Sequence, residues 1–357
     1  MPNLNDLLMQ VDENFDDLLS LHRDLVVIPS VNTGVMPTGN ETEVADFARQ
    51  WLGVDGIEAE IIESAPHRGN LIARLPGESG KNKLLLMSHM DVVPVEDESK
   101  WNYSPFGAEV AGGRIYGRGT YDCKGLLACQ MMAMRLLKRN GVELTDNLVL
   151  ASGADEESGG RYGFGWLAEH HPEKIKAPFA INEGGGTHIN IAGTTTYLLG
   201  VGEKGRLEIK LTIKGSSAHA STPWLGDNAN FKVAEIIKRV ESYEPVRDTS
   251  SPIFRHLSTL AIEDLATSEN IDQIIDAVRG SNPQLASTLR ALSRMTLTPT
   301  MISGGIKSNS VPETCHLTCD VRTLPHQDDI YVKGELEKLF KGLENVDLEI
   351  DYMAVPN

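Results

Sequence analysis

The chain is short of basic residues: across 357 residues, 33 Lys and Arg stand against 50 Asp and Glu, for a formal net charge of −17. An average field of that sign repels a polyanion, so nucleic acid is not an expected partner. Cysteine is scarce, and none of the four (Cys123, Cys129, Cys315, Cys319) forms a C-x-x-C pair. If 315–323 is a strand, Cys315 and Cys319 share a face about 13 Å apart, too far to bridge. Reduced, packed thiols in a cytoplasmic protein are the expectation. Long apolar runs are missing too. Nothing approaches the roughly 18 residues that a membrane span needs, so no membrane partner is expected. The opening "MPNLNDLLMQ" has no basic region followed by an apolar stretch, and no signal peptide is expected.

What remains is an ordinary globular mix, 41% hydrophobic and 23% charged. The length suits about two domains with a substantial core. Leucines and other apolar residues from Leu4 to Leu25 recur at three- and four-residue steps and predict helix. A second helix fits 41–52. Short apolar runs follow: "IEAEIIE", "NLIARLPG" and "KLLLMSHMDVV". The last is apolar on both faces, which suits a central strand covered by helices. A helix at 125–138, a strand "NLVLASGAD", a helix near 163–170 and a strand "APFAINEGGG" complete an α/β layered pattern.

Beyond "EGGGTHIN", a Gly-rich crossing, the pattern changes. Residues 195–214 alternate like paired strands, a helix fits 228–243, and 250–294 reads as short helices. Strands at 296–303 and 314–323, a helix at 329–341 and a strand "VDLEIDYM" close the chain. The expected fold is therefore α/β: a layered catalytic domain over 1–190 with a central, mostly parallel sheet, and a smaller α+β domain over 191–357 with a helical insertion.

The chemistry gathers where apolar strands stop. His89 and Asp91 end "LLLMSHMDVVP" two positions apart, and residues i and i+2 of a strand face the same way. A metal-binding imidazole commonly donates its other N–H to a carboxylate, so His89 as ligand and Asp91 as its brace form a coherent pair. On these residues alone, a buried histidine satisfied by a local carboxylate is the commoner case. Asp122, in "GRIYGRGTYDCKG", precedes a helix and reads either as an N-cap or as a carboxylate aimed into the same site. "ASGADEESGG" ends a strand in Asp155, Glu156 and Glu157, where neighbouring carboxylates repel. Glu183 follows the strand in "FAINEGGG". Each signal is weak, but their coincidence at one sheet edge is not. Imidazole plus carboxylates suits zinc, manganese or cobalt.

The stretches "SHMDVVPV", "WNYSPFGAEVAGGRIYGRGTYDCKG", "ADEESGG", "NEGGG", "GSSAHASTPWLGDNAN", "KSNSVPE" and "DVRTLP" occur in the order of a known family. The chain resembles the zinc metallopeptidases of family 20, which include aminoacylase, acetylornithine deacetylase, succinyl-diaminopimelate desuccinylase and glutamate carboxypeptidase. The resemblance implies two divalent metal ions, zinc foremost. His89 and Glu183 would be terminal ligands on one ion, Glu157 would serve the other, and Asp122 would bridge them through an aspartate followed by a cis peptide bond. Asp91 would hold His89, and Glu156 would be the general base.

The smaller domain resembles the family's lid, which also carries homodimerisation. His219 resembles a histidine that steadies the oxyanion from across the dimer, and Asn309 and Arg322 resemble residues that bind a small substrate bearing a carboxylate. Glu183 stands where the family tends to have Glu in deacylases and Asp in several peptidases. That tilts the reading toward N-acyl amino acid deacylation over dipeptidase or carboxypeptidase action. The family's further histidine ligand near the C-terminus has no counterpart after His326. The resemblance then implies a fragment of a longer enzyme, with a truncated, inactive binding form as the alternative.

Overall fold

The computed structural model describes residues 3–354, apart from 185, 192 and 201. Contacts divide the chain into two compact units, 1–184 and 185–357. The first runs α1 (Leu4–Glu13), α2 (Phe15–Val26), α3 (Glu41–Gly53), β1 (Glu58–Glu63), β2 (Gly69–Leu75), β3 (Asn82–His89), β4 (Glu109–Ala111), β5 (Arg114–Tyr116), α4 (Lys124–Arg139), β6 (Asn147–Gly153), α5 (Phe164–His170), α6 (Pro172–Ile175) and β7 (Phe179–Ile181). Its five-stranded sheet has the order β1-β2-β6-β3-β7. β3 is parallel to both β6 and β7, while β2 is antiparallel to β1 and to β6. Four strands thus run one way and only β2 runs against them.

Alternate residues of one strand feed two different cores. Leu84 and Leu86 of β3, Leu148 and Leu150 of β6, and Leu71 and Ala73 of β2 pack with Leu25, Leu52, Leu127 and Met131 from α2, α3 and α4. Leu85, Val149 and Ile72, one position along, pack with Leu167, Phe164 and Ile175 from the α5–α6 side. Covering both faces is why these strands read as unbroken apolar runs. It also fixes their ends: β3, β6 and β7 stop at the same edge, and His89, Glu156, Glu157 and Glu183 stand at or just beyond it. The apolar run "KLLLMSHMDVV" predicts a strand as far as Val93. The structure ends it at His89, because Val92 leaves the sheet to bridge Val31.

The second unit comprises β8 (Thr187–Ile191), β9 (Thr194–Leu198), β10 (Gly205–Lys214), α7 (Ala229–Glu241), α8 (Ile271–Arg279), α9 (Pro283–Leu292), β11 (Thr296–Gly304), β12 (Thr314–Thr323), α10 (Asp329–Leu339) and β13 (Val346–Ala354). The run 195–214, expected to pair within itself, is divided. β9 forms a hairpin with β8, out of the stretch read as a crossing, and β10 belongs to the antiparallel sheet β11-β12-β10-β13. The reason is that Leu207, Ile209, Leu211 and Ile213 of β10 need a helical cover. They find it in Val233 and Ile236 of α7 and in Val332 and Leu336 of α10. The insertion at 250–294 packs around its own cluster of Phe254, Leu257, Ile271, Ile274, Leu285 and Leu289. All four cysteines are free, and no helix among the described residues is long and apolar enough to cross a membrane.

Candidate metal centre

In the first unit, His89 is 1% exposed and lies at the middle of the strand-end cluster. Its Nδ1 is 3.0 Å from the Asp91 carbonyl oxygen, which can only accept, so Nδ1 carries the hydrogen. The Asp91 carboxylate stands 3.4 Å away on the same side. Nε2 therefore turns its lone pair toward three carboxylates: Asp122 at 2.8 Å, Glu183 at 3.4 Å and Glu156 at 3.8 Å. A lone pair facing anions is repulsive unless a proton or a metal cation stands between them.

The protonation tendencies record the same conflict. Burial works against charge on His89, but bonds to Asp91, Cys123 and Glu183 outweigh it and raise the imidazole above its ordinary value. Burial, then the charge of Asp122, pushes Glu157 up to about 7. Burial and the nearby Glu183 and Asp91 raise Glu156. The His89 bond holds Glu183 below the usual carboxylate range.

Asp91 does more than brace the histidine. One of its carboxylate oxygens accepts the Glu156 N–H at 3.0 Å and the other the Glu157 N–H at 3.1 Å. Asn32 donates to the second oxygen at 2.8 Å. Burial alone would raise such a carboxyl, yet the His89 and Asn32 bonds leave it lowered. The acid pair after β6 is thus hung from the residue that orients the histidine. Asp122 is not a helix cap. Cys123 occupies the cap position of α4 without a side-chain cap bond, after a cis Asp122–Cys123 peptide bond, and Asp122 points to His89 instead.

Two overlapping groups bring their donor atoms within 4.8 Å of one another: His89, Asp122 and Glu157, and His89, Cys123 and Glu183. Carboxylates and excess negative charge converging on a buried imidazole fit a divalent cation. The sequence predicts no more for Cys123 than a packed thiol. Its Sγ accepts the His89 backbone N–H at 3.1 Å, and its place beside Asp122 was the one signal for it. Asn32 carried no signal at all.

In the second unit, the structure brings His219 and Asn309 together. Ala220 N–H donates to the Asn309 carbonyl at 3.0 Å, and His219 bridges Ser310. The Ser221 N–H donates to His219 Nδ1 at 3.2 Å, with the Ser221 hydroxyl 2.7 Å away. Nδ1 is therefore the acceptor, and the neutral ring carries its hydrogen on Nε2. Arg322 does not join them. It pairs with Asp320 at 2.8 Å and lies opposite Arg206 in the β10–β12 ladder, whereas the His219 turn follows Lys214. The eight steps from Arg206 to Lys214 span roughly 26 Å at about 3.3 Å each.

Residues 85–299 match the sequence profile of peptidase family M20/M25/M40. That is more than half of the chain, which therefore belongs to this family of metal-dependent hydrolases. It is 26% identical over 334 residues to a probable succinyl-diaminopimelate desuccinylase of Staphylococcus aureus (strain Mu50 / ATCC 700699), covering 93% of this chain and 75% of that protein. An uncharacterized metallohydrolase of Methanocaldococcus jannaschii is 31% identical over 231 residues, 60% of this chain and 54% of its own length. Among solved structures, the fold is similar to human carnosine dipeptidase 1, with a TM-score of 0.70 at 15% identity over 99% of this chain and 81% of that one. It is also similar to the M20 family metallo-carboxypeptidase Sso-CP2 of Sulfolobus solfataricus, with a TM-score of 0.68 at 22% identity over 95% and 79%.

Proposed function

We propose that this metal-dependent hydrolase cleaves the amide bond of N-acyl amino acids, releasing a carboxylic acid and a free amine beside a carboxylate. The observation that carries the reading is the His89 Nε2 lone pair facing three carboxylates at a strand edge. His89, Asp122, Glu157 and Glu183 would hold two divalent ions, zinc foremost with cobalt or manganese as substitutes. When bound, the ions would polarise the amide carbonyl and acidify water. Glu156, with its side chain 49% exposed and its carboxylate 3.8 Å from His89 Nε2, is raised above the ordinary glutamate by burial. It takes the proton from the attacking water and passes it to the leaving nitrogen. Asp91 holds His89 and both glutamates in register.

His219 presents Nε2–H to the developing oxyanion. Asn309 binds beside it, and the Arg322 fork takes the substrate carboxylate. Arg322 stands at the Arg206 end of β10 and the His219 turn leaves from its Lys214 end, roughly 26 Å along the strand, which exceeds a small substrate. This supports a homodimer in which the two ends come from different copies of the second unit, the lid. Exposed Phe231, Met301, Ile302 and Ile306, near or on the sheet-edge strand β11, support the same contact surface. The desuccinylase relative and Glu183 favour deacylation over peptide cleavage, and the free cysteines favour a cytoplasmic setting. The test is Glu156→Ala, expected to keep its metal and lose roughly 10²–10⁴-fold in kcat on N-acyl amino acids. Unchanged turnover would remove Glu156 from the chemistry, and faster turnover of dipeptides by the wild type would reassign the substrate.

A further inference from the structure

Behind the candidate metal centre lies a buried ionic chain that the proposed chemistry does not use. Asp155 sits in the left-handed region at φ 63° and starts the turn that carries Glu156 and Glu157. A non-glycine residue holds that conformation only where its surroundings dictate it. Here they do. Asp155 Oδ1 accepts from Arg68 Nη2 at 2.6 Å and from Asn32 Nδ2 at 3.0 Å. Its Oδ2 accepts the Tyr162 N–H at 3.1 Å, and its own N–H donates to Glu41 Oε1 at 3.3 Å. Arg68 also meets Glu41 at 3.2 Å, donates to the Thr38 carbonyl at 3.0 Å and lies over the Tyr162 ring.

Arg68, Glu41, Asn32, Asp155 and Asp91 are all buried. A buried ionic cluster is an expensive way to stabilise a fold, since apolar residues of the same volume commonly do as well. What it supplies is direction. Asn32 donates from one amide nitrogen to both Asp91 and Asp155, so the two carboxylates flanking the Glu156–Glu157 turn share one tether. The loop before α3 closes on the cluster at Gly39 (φ 86°), where a Cβ would come 2.3 Å from Glu41 Oε2 and 2.4 Å from Arg68 Nη1.

We propose that Arg68 is a positioning residue: acting through Asp155, and with Asn32 as the link to Asp91, it sets the aim of the Glu156 carboxylate. The inference rests on the reading of Glu156 as the general base. The test compares wild type, Arg68→Lys, Asn32→Ala, Glu156→Ala and the two double variants with Glu156→Ala, at saturating zinc. Metal content and folding are checked for each. Arg68→Lys keeps the charge but replaces the planar fork, whose Nη1 reaches Thr38 and whose Nη2 reaches Asp155 and Glu41, with a single nitrogen.

The expected result is a kcat roughly 10–100-fold lower for Arg68→Lys and Asn32→Ala, with KM within about threefold and zinc retained. That loss should vanish in the Glu156→Ala background, because residues acting through one group are not additive. Unchanged kcat in both single variants overturns the proposal. So does a loss that persists in full without Glu156, which marks a purely structural role. If Arg68→Lys does not fold, Asn32→Ala carries the same comparison alone. Full activity of Glu156→Ala would instead overturn the base assignment, and is read separately.

Discussion

The two units hold their functional side chains in opposite ways. His89 and Asp91 are buried, and His89 Nδ1 and both Asp91 carboxylate oxygens have fixed partners. Arg322 is 48% exposed and held by one carboxylate, and His219 is tethered by its own turn. The first arrangement gathers charge around a buried imidazole and a buried carboxylate, whose own interactions are strong and errors in them costly. The second leaves cationic and hydrogen-bonding groups in water, where they gain strength only when a ligand excludes it. Damage to the first unit should therefore remove activity and stability together, and damage to the second should alter binding or rate alone.

The largest effect is expected from Asp91→Ala. It strips acceptors from the Glu156 and Glu157 N–H groups and from Asn32 at once. Activity should fall at least roughly 100-fold, and denaturant unfolding should show about 1–3 kcal/mol of lost stability. A variant as stable as wild type would break the contrast between the units. Metal removal comes next. In the chelated protein, the folded-state values of Glu157 (about 7) and Glu156 lie above their unfolded ones, so the native state binds the extra protons. That contribution is present at acid pH and is lost as pH rises from about 4.5 to 7; the raised His89 extends the loss above 6.5. Metal binding runs the other way, because ligands must deprotonate. Melting curves with and without zinc should diverge as pH rises, and parallel curves would argue against a metal at this cluster.

Smaller effects belong to the second unit. Arg322→Lys should raise KM about tenfold, the worth of one charge-assisted bond, with melting temperature unchanged; a kcat loss without a KM change would assign Arg322 to the chemistry. Ser221→Ala leaves the backbone N–H on His219 Nδ1 and removes only the hydroxyl. It should lower kcat about two- to threefold. A loss as large as that of Glu156→Ala would show that the hydroxyl, and not the backbone, holds the tautomer.

The strand-end residues were legible because each follows an apolar run whose burial dictates where it stops. His89 after β3, Glu156 and Glu157 after β6, and Glu183 after β7 are of this kind. Periodicity likewise showed α3, α4, α7 and both halves of the second sheet. It failed for β8 and β9, since alternation shows that a segment is extended but not which strand it pairs with. Asn32, Glu41 and Arg68 were illegible for a different reason. They are ordinary residues whose partners Asp91 and Asp155 lie 59 to 123 positions away. Glu41 looked like nothing more than the first turn of a helix.

Apolar patterning and the order of the motifs determined the class of fold, the family and the residue types at the site, because burial and backbone geometry act on neighbours along the chain. Tertiary structure alone decided which strands pair, that Asp91 carries two glutamates as well as a histidine, and that a buried arginine stands behind them. Those outcomes depend on distances between segments far apart in sequence, and no local periodicity encodes such a distance.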